Sequence, residues 1–412
     1  MIARREPSYP RADPLRVATA AVAGIALFAL SWELLHAGPY DDAAIVDTPV
    51  YQAYGDAMEA GRVPYRDFEL EYPPGALPVF LLPSLAGGED DYVALFEALM
   101  LVCGAAAVAF VPVGLAAAGA TGRTIALGTA AAALAPLLLG SVILSRFDLW
   151  PAALTTGALA ALAAGRERLG HGVLAAAVTA KLYPLVLLPL ALLYVARRRD
   201  GREALACLAV FVAVIAAIVG PFLALSPDGV LASVERQTGR PLQLESLGAG
   251  VLLAAHRLGL YEATVVSSHG SQNLAGPLPD ALATVQTLVQ ALAVAAVWVA
   301  FARTPRSPAG LLVAAAAAVS AFVAFGKVLS PQFLVWLLPL VPLAFIGAGA
   351  GTALLFAASL ALTQLWFPSR YWDIVALEPV AWLVVCRDAV LVALLFALAA
   401  ATRREREPPR SA

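Results

Sequence analysis

Charged residues are scarce in this chain of 412 residues, since they make up 14% of the sequence against 61% for hydrophobic residues. Soluble domains contain about 25% charged and about 45–50% apolar residues, so this composition excludes a water-soluble fold. A formal net charge of −2 also provides no basic field that would hold nucleic acid, and we expect no nucleic-acid partner.

Cysteine and histidine are sparse as well, with three and four copies. The cysteines Cys103, Cys207 and Cys386 lie far apart within apolar segments, which leaves neither a disulfide framework nor a CxxC motif. The histidines lack the spacing of metal ligands. We therefore expect neither a metal nor another cofactor.

Long apolar runs, by contrast, occupy most of the chain. A helix needs about 20 apolar residues to cross a bilayer, and about ten runs are long enough. They lie near residues 15–37, 91–118, 123–145, 148–165, 202–225, 278–302, 307–326, 331–348, 350–367 and 379–402. The first run is too long for the core of a signal peptide and is predicted to be a retained helix. The sequence thus predicts an all-α polytopic membrane protein that forms a single domain over residues 1–412.

A further apolar run, between Arg168 and Arg197, is interrupted by Lys181-Leu182-Tyr183-Pro184 and has basic residues at both ends. Proline disrupts a helix interior because it lacks the backbone donor. Since Lys and Arg concentrate on the cytoplasmic side, the two basic ends favour a broken re-entrant helix pair over 169–196 instead of a single crossing. Irregular backbone at membrane depth is tolerated where it lines a cavity, and it often marks a binding site. The same charge bias predicts cytoplasmic N- and C-termini.

Three regions that do not span the membrane are assigned to the outer side. They lie near 38–90, 226–277 and 367–378. These regions are acidic and aromatic, whereas the cytoplasmic turns are short and basic. Within the first one, residues 47–60 have the spacing of an amphipathic interfacial helix, with Val50, Tyr51, Tyr54 and Met58 on one face.

Aromatic rings alternate with carboxylates in the first outer loop, up to Pro73-Pro74-Gly75. Rings of this kind stack on the apolar faces of sugars, and carboxylates accept hydrogen bonds from sugar hydroxyls. This pattern favours a sugar site. The alternative is an interfacial aromatic belt with solvated acids.

Lysine is the rarest basic residue, with two copies against 25 arginines. Lys181 lies in the break of the helix pair, and Lys327 follows the outer end of a span. A compact ammonium suits a phosphate oxygen at the end of a narrow pocket. Arg236 and Arg240 in the second outer loop could bind an anionic lipid headgroup bidentately. The alternative for both lysines is a snorkelling side chain.

Two charge pairs lie at or within predicted spans. Arg146-Phe147-Asp148 joins the third and fourth full spans, and its charges either contact a ligand or form an ion pair with each other. Arg387-Asp388 lies inside the last span, where a charge is costly unless it is paired. We interpret Arg387 and Asp388 as a structural pair.

The chain resembles the membrane-embedded GT-C glycosyltransferases, specifically the glycosyltransferase 87 family of polyprenyl-phosphate-mannose-dependent mannosyltransferases. The matching stretches are Asp47-Thr48-Pro49-Val50-Tyr51, Pro64 to Phe68, Glu71 to Gly75, Arg146 to Pro151, Lys181-Leu182-Tyr183-Pro184, Arg240 to Ser246 and Lys327 to Gln332. Each stretch is short, and their order and placement from about residue 40 to about residue 340 carry the resemblance.

This resemblance implies a GT-C-like helical bundle around a cavity open to the outer face, a lipid-phosphate-sugar donor and inversion at the anomeric carbon. It implies that an aspartate early in the first outer loop is the general base. Asp47 matches that position, and Asp41 and Asp42 are alternates. The alternative for Asp47 is that it, or Thr48, only caps the following helix.

The remaining site residues are assigned by the same resemblance together with the patterns above. The candidates for holding the donor phosphate are Lys181, Lys327, Arg236 and Arg240. The candidates for binding the sugar or the acceptor are Tyr51, Tyr65, Arg66, Asp67, Glu71, Tyr72, Arg146, Asp148, Glu245 and Gln332. The metal-binding Asp-x-Asp motif of soluble nucleotide-sugar transferases does not appear in the sequence, which fits a lipid-monophosphate donor that needs no divalent ion.

The expected function is transfer of a sugar, with mannose as the family expectation, from a polyprenyl-phosphate sugar to a glycan or glycolipid of the cell envelope. The reaction would take place on the outer side of the plasma membrane, and the lipid bilayer is an expected partner of the protein. A lipid-linked sugar flippase or transporter is the main alternative, because intramembrane charges and broken helices also mark transport paths. A non-catalytic scaffold for envelope synthesis is another.

Overall fold

A computed structural model of the protein describes residues 13–37, 45–304 and 307–404. Its α-helices are α1 (Pro14–Leu35), α2 (Thr48–Glu59), α3 (Leu77–Ser84), α4 (Glu89–Ala117), α5 (Gly122–Leu139), α6 (Leu149–Ala163), α7 (Glu167–Ala180), α8 (Leu188–Arg198), α9 (Gly201–Leu225), α10 (Pro227–Thr238), α11 (Leu247–Arg257), α12 (Pro277–Ala302), α13 (Pro308–Ala324), α14 (Leu337–Leu343), α15 (Ala350–Gln364), α16 (Tyr371–Val375) and α17 (Ala381–Arg404). The strands β1 (Val265–Ser268) and β2 (Ser271–Leu274) form an antiparallel hairpin, in which Val265 pairs with Leu274.

The long helices follow the predicted apolar runs closely. Within the described residues, six helices are long and apolar enough to cross a membrane, namely α1, α4, α5, α9, α12 and α17. The helices α6, α13 and α15 match three further predicted runs but have only 15 to 17 residues. The protein is therefore an all-α, multi-pass membrane protein, as predicted, and the exact number of spans stays a prediction.

The run near 331–348, predicted as one continuous span, is instead a broken segment. A 3-10 helix (Pro331–Trp336) leads into α14, and a second 3-10 turn (Ala344–Ile346) follows it. Pro339 and Pro342 lack the backbone donors that a continuous helix needs at these positions. Residues 334–344 are nevertheless buried, so the segment passes through the centre of the bundle.

The run between Arg168 and Arg197 folds back on itself. Helix α7 ends at Ala180, Lys181 follows in an extended conformation, a 3-10 turn (Tyr183–Leu187) comes next, and α8 returns. The two far ends lie side by side, because Arg199 Nε contacts Glu167 Oε1 at 3.0 Å and Arg168 binds Glu203 bidentately at 2.8 Å. Which side of the membrane these ends face stays a prediction.

The amphipathic helix predicted over residues 47–60 of the first outer loop is present, since α2 occupies Thr48–Glu59. Tyr51 is buried and Tyr54 and Met58 are half-buried, whereas Val50 is exposed, contrary to prediction. The reason is that α2 packs on α3 and α4 through a face centred on Tyr51 and Gly55. A Cβ atom at Gly55 would lie 2.4 Å from the Phe80 carbonyl oxygen, so glycine permits this close approach.

The second outer loop contains α10, α11 and the β-hairpin, which sequence periodicity did not indicate. It packs on the first outer loop. Ser226 Oγ donates to the Tyr65 carbonyl at 3.0 Å, and Ser233 Oγ donates to the Glu71 carbonyl at 3.2 Å. The two loops thus form one layer over one end of the helical bundle.

Candidate active site

The Asp47 carboxylate is held by a buried arginine. Asp47 occupies the N-cap position of α2, but its side chain makes no capping hydrogen bond. Instead Asp47 Oδ1 pairs with Arg146 Nη1 at 2.5 Å, and Arg146 Nη2 donates to the Ile45 carbonyl at 3.3 Å. The Arg146 side chain is 5% exposed and that of Asp47 is 31% exposed. The structure therefore pairs Arg146 with Asp47 and leaves Asp148 to another partner. The alternates Asp41 and Asp42 lie outside the described residues.

Asp148 is completely buried at the start of α6. Lys181 Nζ donates to its Oδ1 atom at 2.6 Å, and the indole Nε1 of Trp336 donates to the same oxygen at 2.5 Å. Among the described residues, Asp148 Oδ2 has no hydrogen-bond partner. A buried carboxylate is costly unless it is paired, and Lys181 and Trp336 are the partners that offset this cost for Asp148.

Three aromatic rings surround the Lys181 ammonium group. Its Nζ atom lies 4.6 Å from the centroid of Phe147, 5.3 Å from that of Trp336 and 5.8 Å from that of Phe333. Rings at these distances attract a cation through their quadrupoles. We call Asp148, Lys181, Phe147, Phe333 and Trp336 the inner cluster.

The Pro73-Pro74-Gly75 segment packs against the end of α7, next to Lys181. A Cβ atom at Gly75 would lie 2.5 Å from the carbonyl carbon of Thr179. Trp150 Nε1 donates to the Gly75 carbonyl at 3.0 Å and so joins this segment to α6. The first outer loop is thereby attached to the helix break that carries Lys181.

The tyrosines of the first loop contribute to an aromatic core. Tyr51 is fully buried, stacks on Phe80 at 4.7 Å, and donates from its hydroxyl to Asp47 Oδ2 at 3.3 Å. Tyr72 meets Phe147 edge-on at 4.9 Å. Tyr65 is buried and donates to the Tyr72 carbonyl. These rings therefore pack around Phe147, and the Tyr51 hydroxyl group holds Asp47, the candidate base.

Arg66 and Asp67 lie together on an exposed turn. Arg66 binds Asp67 through two hydrogen bonds of 2.8 and 2.9 Å, and the Val63 amide donates to the same carboxylate at 2.7 Å. These hydrogen bonds lower the pKa of Asp67 to about 2. Both side chains are thus engaged with each other.

The other three candidate phosphate ligands surround the C-terminal end of α10. Arg236 pairs with Glu69 at 2.7 Å, and Lys327 Nζ donates to the Thr238 carbonyl at 2.8 Å. Arg240 donates to Ser271 Oγ at 3.0 Å and lies 3.8 Å from Glu71, which also accepts from Gln237 at 2.9 Å. We call Arg236, Arg240, Lys327, Glu69 and Glu71 the outer cluster. No contact between described residues joins Lys181 to these three cations directly.

Glu245 lies in the second outer loop and is 2% exposed. Gln243 Nε2 donates to its carboxylate at 2.6 Å, and Arg387 Nη2 donates to its backbone carbonyl at 2.6 Å. Burial raises the pKa of Glu245 to about 7. Arg387 and Asp388 contact each other at 2.8 Å, so their interpretation as a structural pair is confirmed.

Several residues of the site were not predicted. Trp336 and Phe333 come from an apolar run that carries no polar signal, and Gln243 is an ordinary loop residue in the sequence. Gln332, which was predicted, is half-buried and its Oε1 atom has no hydrogen-bond partner among the described residues. Within the same residues, no three His, Cys, Asp or Glu side chains converge as metal ligands would. That the reaction needs no metal stays a prediction.

Comparison with known proteins adds two findings. The model of Glycosyltransferase family 87 matches residues 70–331, a range that includes Arg146, Lys181 and Lys327 but begins after Asp47. The fold is similar to the crystal structure of ArnT from Cupriavidus metallidurans bound to undecaprenyl phosphate, with a TM-score of 0.50 and 15% identity over 96% of this chain and 78% of that chain. None of the curated protein sequences matches this chain.

Proposed function

Since this chain belongs to glycosyltransferase family 87, we propose that it transfers a sugar from a polyprenyl-phosphate donor to a glycan or glycolipid acceptor of the cell envelope. Mannose is the sugar that the family resemblance favours. The GT-C fold supports a membrane-embedded glycosyltransferase. The proposed site faces the outer side of the plasma membrane, with both termini in the cytoplasm.

The observation that carries this proposal is the state of the Asp47 carboxylate. It is partly exposed, it is not used as a helix cap, and Arg146 and Tyr51 each bind one of its oxygens. A carboxylate accepts about four hydrogen bonds, so lone pairs remain for an acceptor hydroxyl. A base needs this combination of fixed orientation and access.

The proposed reaction inverts the anomeric carbon. The acceptor hydroxyl oxygen forms a bond to the anomeric carbon while the bond from that carbon to the donor phosphate oxygen breaks, and the hydroxyl proton passes to Asp47. The leaving phosphate keeps the electron pair of the broken bond. A fixed cation stabilises this charge as it develops, and Lys181 is the proposed cation because its ammonium group is held in place by Asp148 and three rings.

Lys327, Arg236 and Arg240 are the further proposed ligands of the donor phosphate. Because they form a cluster separate from Lys181, a phosphate that contacts both clusters would have to lie between them. Glu71 lies beside Arg240 and Asp148 beside Lys181, and Gln332 has a side-chain oxygen without a hydrogen-bond partner among the described residues. These three residues are proposed to bind hydroxyl groups of the sugar or of the acceptor.

The test uses purified full-length protein in nanodiscs with labelled polyprenyl-phosphate mannose and envelope glycolipids as acceptors. Wild-type protein should transfer label to an acceptor. Asp47→Asn should lower turnover by about 10²–10⁴-fold, because the amide cannot accept the proton, and donor binding should persist. Asp56→Asn is the matched control, since it makes the same change at an exposed position of α2, and it should leave turnover near wild type.

Other outcomes would contradict the proposal. Movement of labelled lipid across a liposome membrane without formation of a glycosidic bond would identify a flippase. Full turnover by Asp47→Asn would remove Asp47 as the base and direct attention to Asp41 and Asp42.

A further inference from the structure

The inner cluster contains a tryptophan whose indole N–H is aimed at a buried charge. Trp336 is 2% exposed, and its Nε1 atom donates to the same Asp148 oxygen that binds Lys181. With two donors on a single oxygen, the plane of the carboxylate and the position of the ammonium are set together. A lysine alone would not achieve this, because its flexible four-carbon stem allows many geometries.

The direction of the indole N–H is fixed by stacking on both faces. Trp336 stacks on Tyr183 at 4.1 Å and 5° and on Phe333 at 4.3 Å and 20°. Tyr183 is held in turn by a hydrogen bond of 3.0 Å between its hydroxyl and Thr155. An indole held in this way cannot turn its N–H away from Asp148 without moving its neighbours.

The 3-10 geometry of Pro331–Trp336 makes this arrangement possible. Side chains three residues apart eclipse each other in a 3-10 helix, so Phe333 and Trp336 lie one above the other. In an α-helix the same two residues would be offset by about 60°. The unexpected break in this segment therefore serves to bring two rings to the Lys181 ammonium.

Aromatic rings attract the ammonium group and leave its N–H donors available for hydrogen bonds. Lys181 Nζ has three N–H donors, and its only hydrogen bond to described residues is the one to Asp148. The rings of Phe147, Phe333 and Trp336 hold the ammonium group in place, and none of them offers an oxygen acceptor that would compete with an anionic oxygen. Its side chain is 13% exposed, so an oxygen can still reach it.

We infer that Trp336 is a positioning residue of the donor-phosphate site. Through Asp148 it sets where Lys181 presents its free N–H groups to a lipid-linked phosphate. The inference rests on the proposed function in one respect, namely that the ligand is a polyprenyl phosphate. Trp336 lies beyond residue 331, where the family match ends.

The test is the binding of polyprenyl monophosphate to purified full-length protein, which requires no transfer of sugar. Trp336→Phe keeps a stacking ring and removes the N–H. It should weaken lipid binding about 10- to 100-fold, as expected when a hydrogen bond to a charged group is lost. Trp298→Phe is the matched control, because that indole donates to the Val186 carbonyl at 2.9 Å and makes no other hydrogen bond within the part of the chain that the structure describes. It should bind as wild type does.

A double-mutant cycle separates positioning from simple packing. In protein that carries Asp148→Asn, the further change Trp336→Phe should have little effect on lipid binding, because its target charge is gone. The full 10- to 100-fold loss in that background would show that Trp336 acts by packing, and it would overturn the inference, as would wild-type binding by Trp336→Phe.

A second variant serves if Trp336→Phe does not fold. Phe333→Leu leaves the N–H in place but removes the ring that orients it, and it should weaken binding in the same direction to a smaller extent. Wild-type binding by Phe333→Leu would then overturn the inference. Lipid binding that responds as expected in protein without transferase activity would support the role of Trp336 and contradict the proposed function.

Discussion

The inner and outer clusters hold similar cations in different physical settings. Lys181 of the inner cluster has a side chain that is 13% exposed and pairs with Asp148, and the nearby Arg146, outside that cluster, is 5% exposed and pairs with Asp47. Arg236, at 36% exposed, pairs with Glu69, which is 87% exposed. A charge pair in water contributes about 0–1 kcal/mol, whereas loss of one partner of a buried pair costs about 3–5 kcal/mol. The comparison shows that burial, and not the number of ion pairs, determines which cations the fold depends on.

The largest effect on stability is expected from Lys181→Ala. This change leaves the Asp148 carboxylate buried without its cation, which should lower the free energy of unfolding by about 3–5 kcal/mol. Thermal unfolding in detergent measures it. The double variant Lys181→Ala/Asp148→Asn removes the charge as well and should recover part of the loss. Equal destabilisation in both variants would show that the ion pair is not the cause.

A somewhat smaller effect is expected from Gly75→Ala, which alters the contact between the first loop and α7. The new methyl would lie 2.5 Å from backbone and side-chain atoms of Thr179. Overpacking of this kind costs about 1–3 kcal/mol, and it should also lower donor affinity by displacing Lys181. Gly122→Ala is the control, because a Cβ atom there meets nothing within 4 Å. If both variants unfold at the same temperature, the close packing at Gly75 is unimportant.

In the outer cluster, stability and binding should respond separately. Lys327→Ala removes one hydrogen bond from a half-exposed group to the Thr238 carbonyl. The free energy of unfolding should therefore fall by about 1 kcal/mol or less. If Lys327 contacts the donor phosphate, donor affinity should nevertheless fall about 10-fold or more. Isothermal titration with polyprenyl phosphate, alongside thermal unfolding, distinguishes the two. A variant with unchanged affinity would exclude Lys327 from the phosphate site.

A pH-dependent effect on stability is expected at Glu245. Its pKa in the folded protein is raised by burial from 4.5 to about 7, so the folded state holds this proton more tightly than the unfolded state. Stability should therefore fall as the pH rises from about 4.5 to about 7. Glu245→Gln removes this dependence, so its melting temperature should gain about 2–4 °C on wild type between pH 5 and pH 8.

Asp67→Asn is the control for this pH series. The pKa of Asp67 is lowered to about 2, so the stability that its pair contributes is present above the unfolded pKa of 3.8 and is lost only as the pH falls toward 2. The melting temperature of this variant should change with pH in the same way as that of the wild type from pH 5 to pH 8. If the melting temperature of Glu245→Gln also changes with pH as that of the wild type does, Glu245 does not titrate in this range.

The elements that were predicted correctly depend on local sequence. Apolar runs such as the one near 202–225 predict helices because a bilayer selects for about 20 consecutive apolar residues, and α9 occupies Gly201–Leu225. Helix α2 was predicted from the spacing of its aromatic residues. The break at Lys181 followed from its proline and its two basic ends. Each of these signals lies within the element that it describes.

The elements that were missed depend on contacts with the rest of the chain. Helix α10 and the β-hairpin are short and largely polar, and they are stabilised by packing on the first outer loop. The segment near 331–348 is as apolar as a spanning helix, and its backbone conformation depends on prolines and on the surrounding bundle. Hydrophobic pattern alone does not distinguish these outcomes.

The sequence by itself determined that this is a helical membrane protein, where most helices lie, and which charged residues are candidates for the site. Only the tertiary structure decided the pairing of those residues. Lys181 and Trp336 both bind Asp148, although they lie 33 and 188 residues from it in the sequence. Arg146 binds Asp47 instead of Asp148, which is only two residues away from it. The physical reason is that insertion of a segment into a bilayer depends on the hydrophobicity of that segment alone. A buried ion pair, by contrast, forms only where the packing of distant helices brings its two members within hydrogen-bond distance.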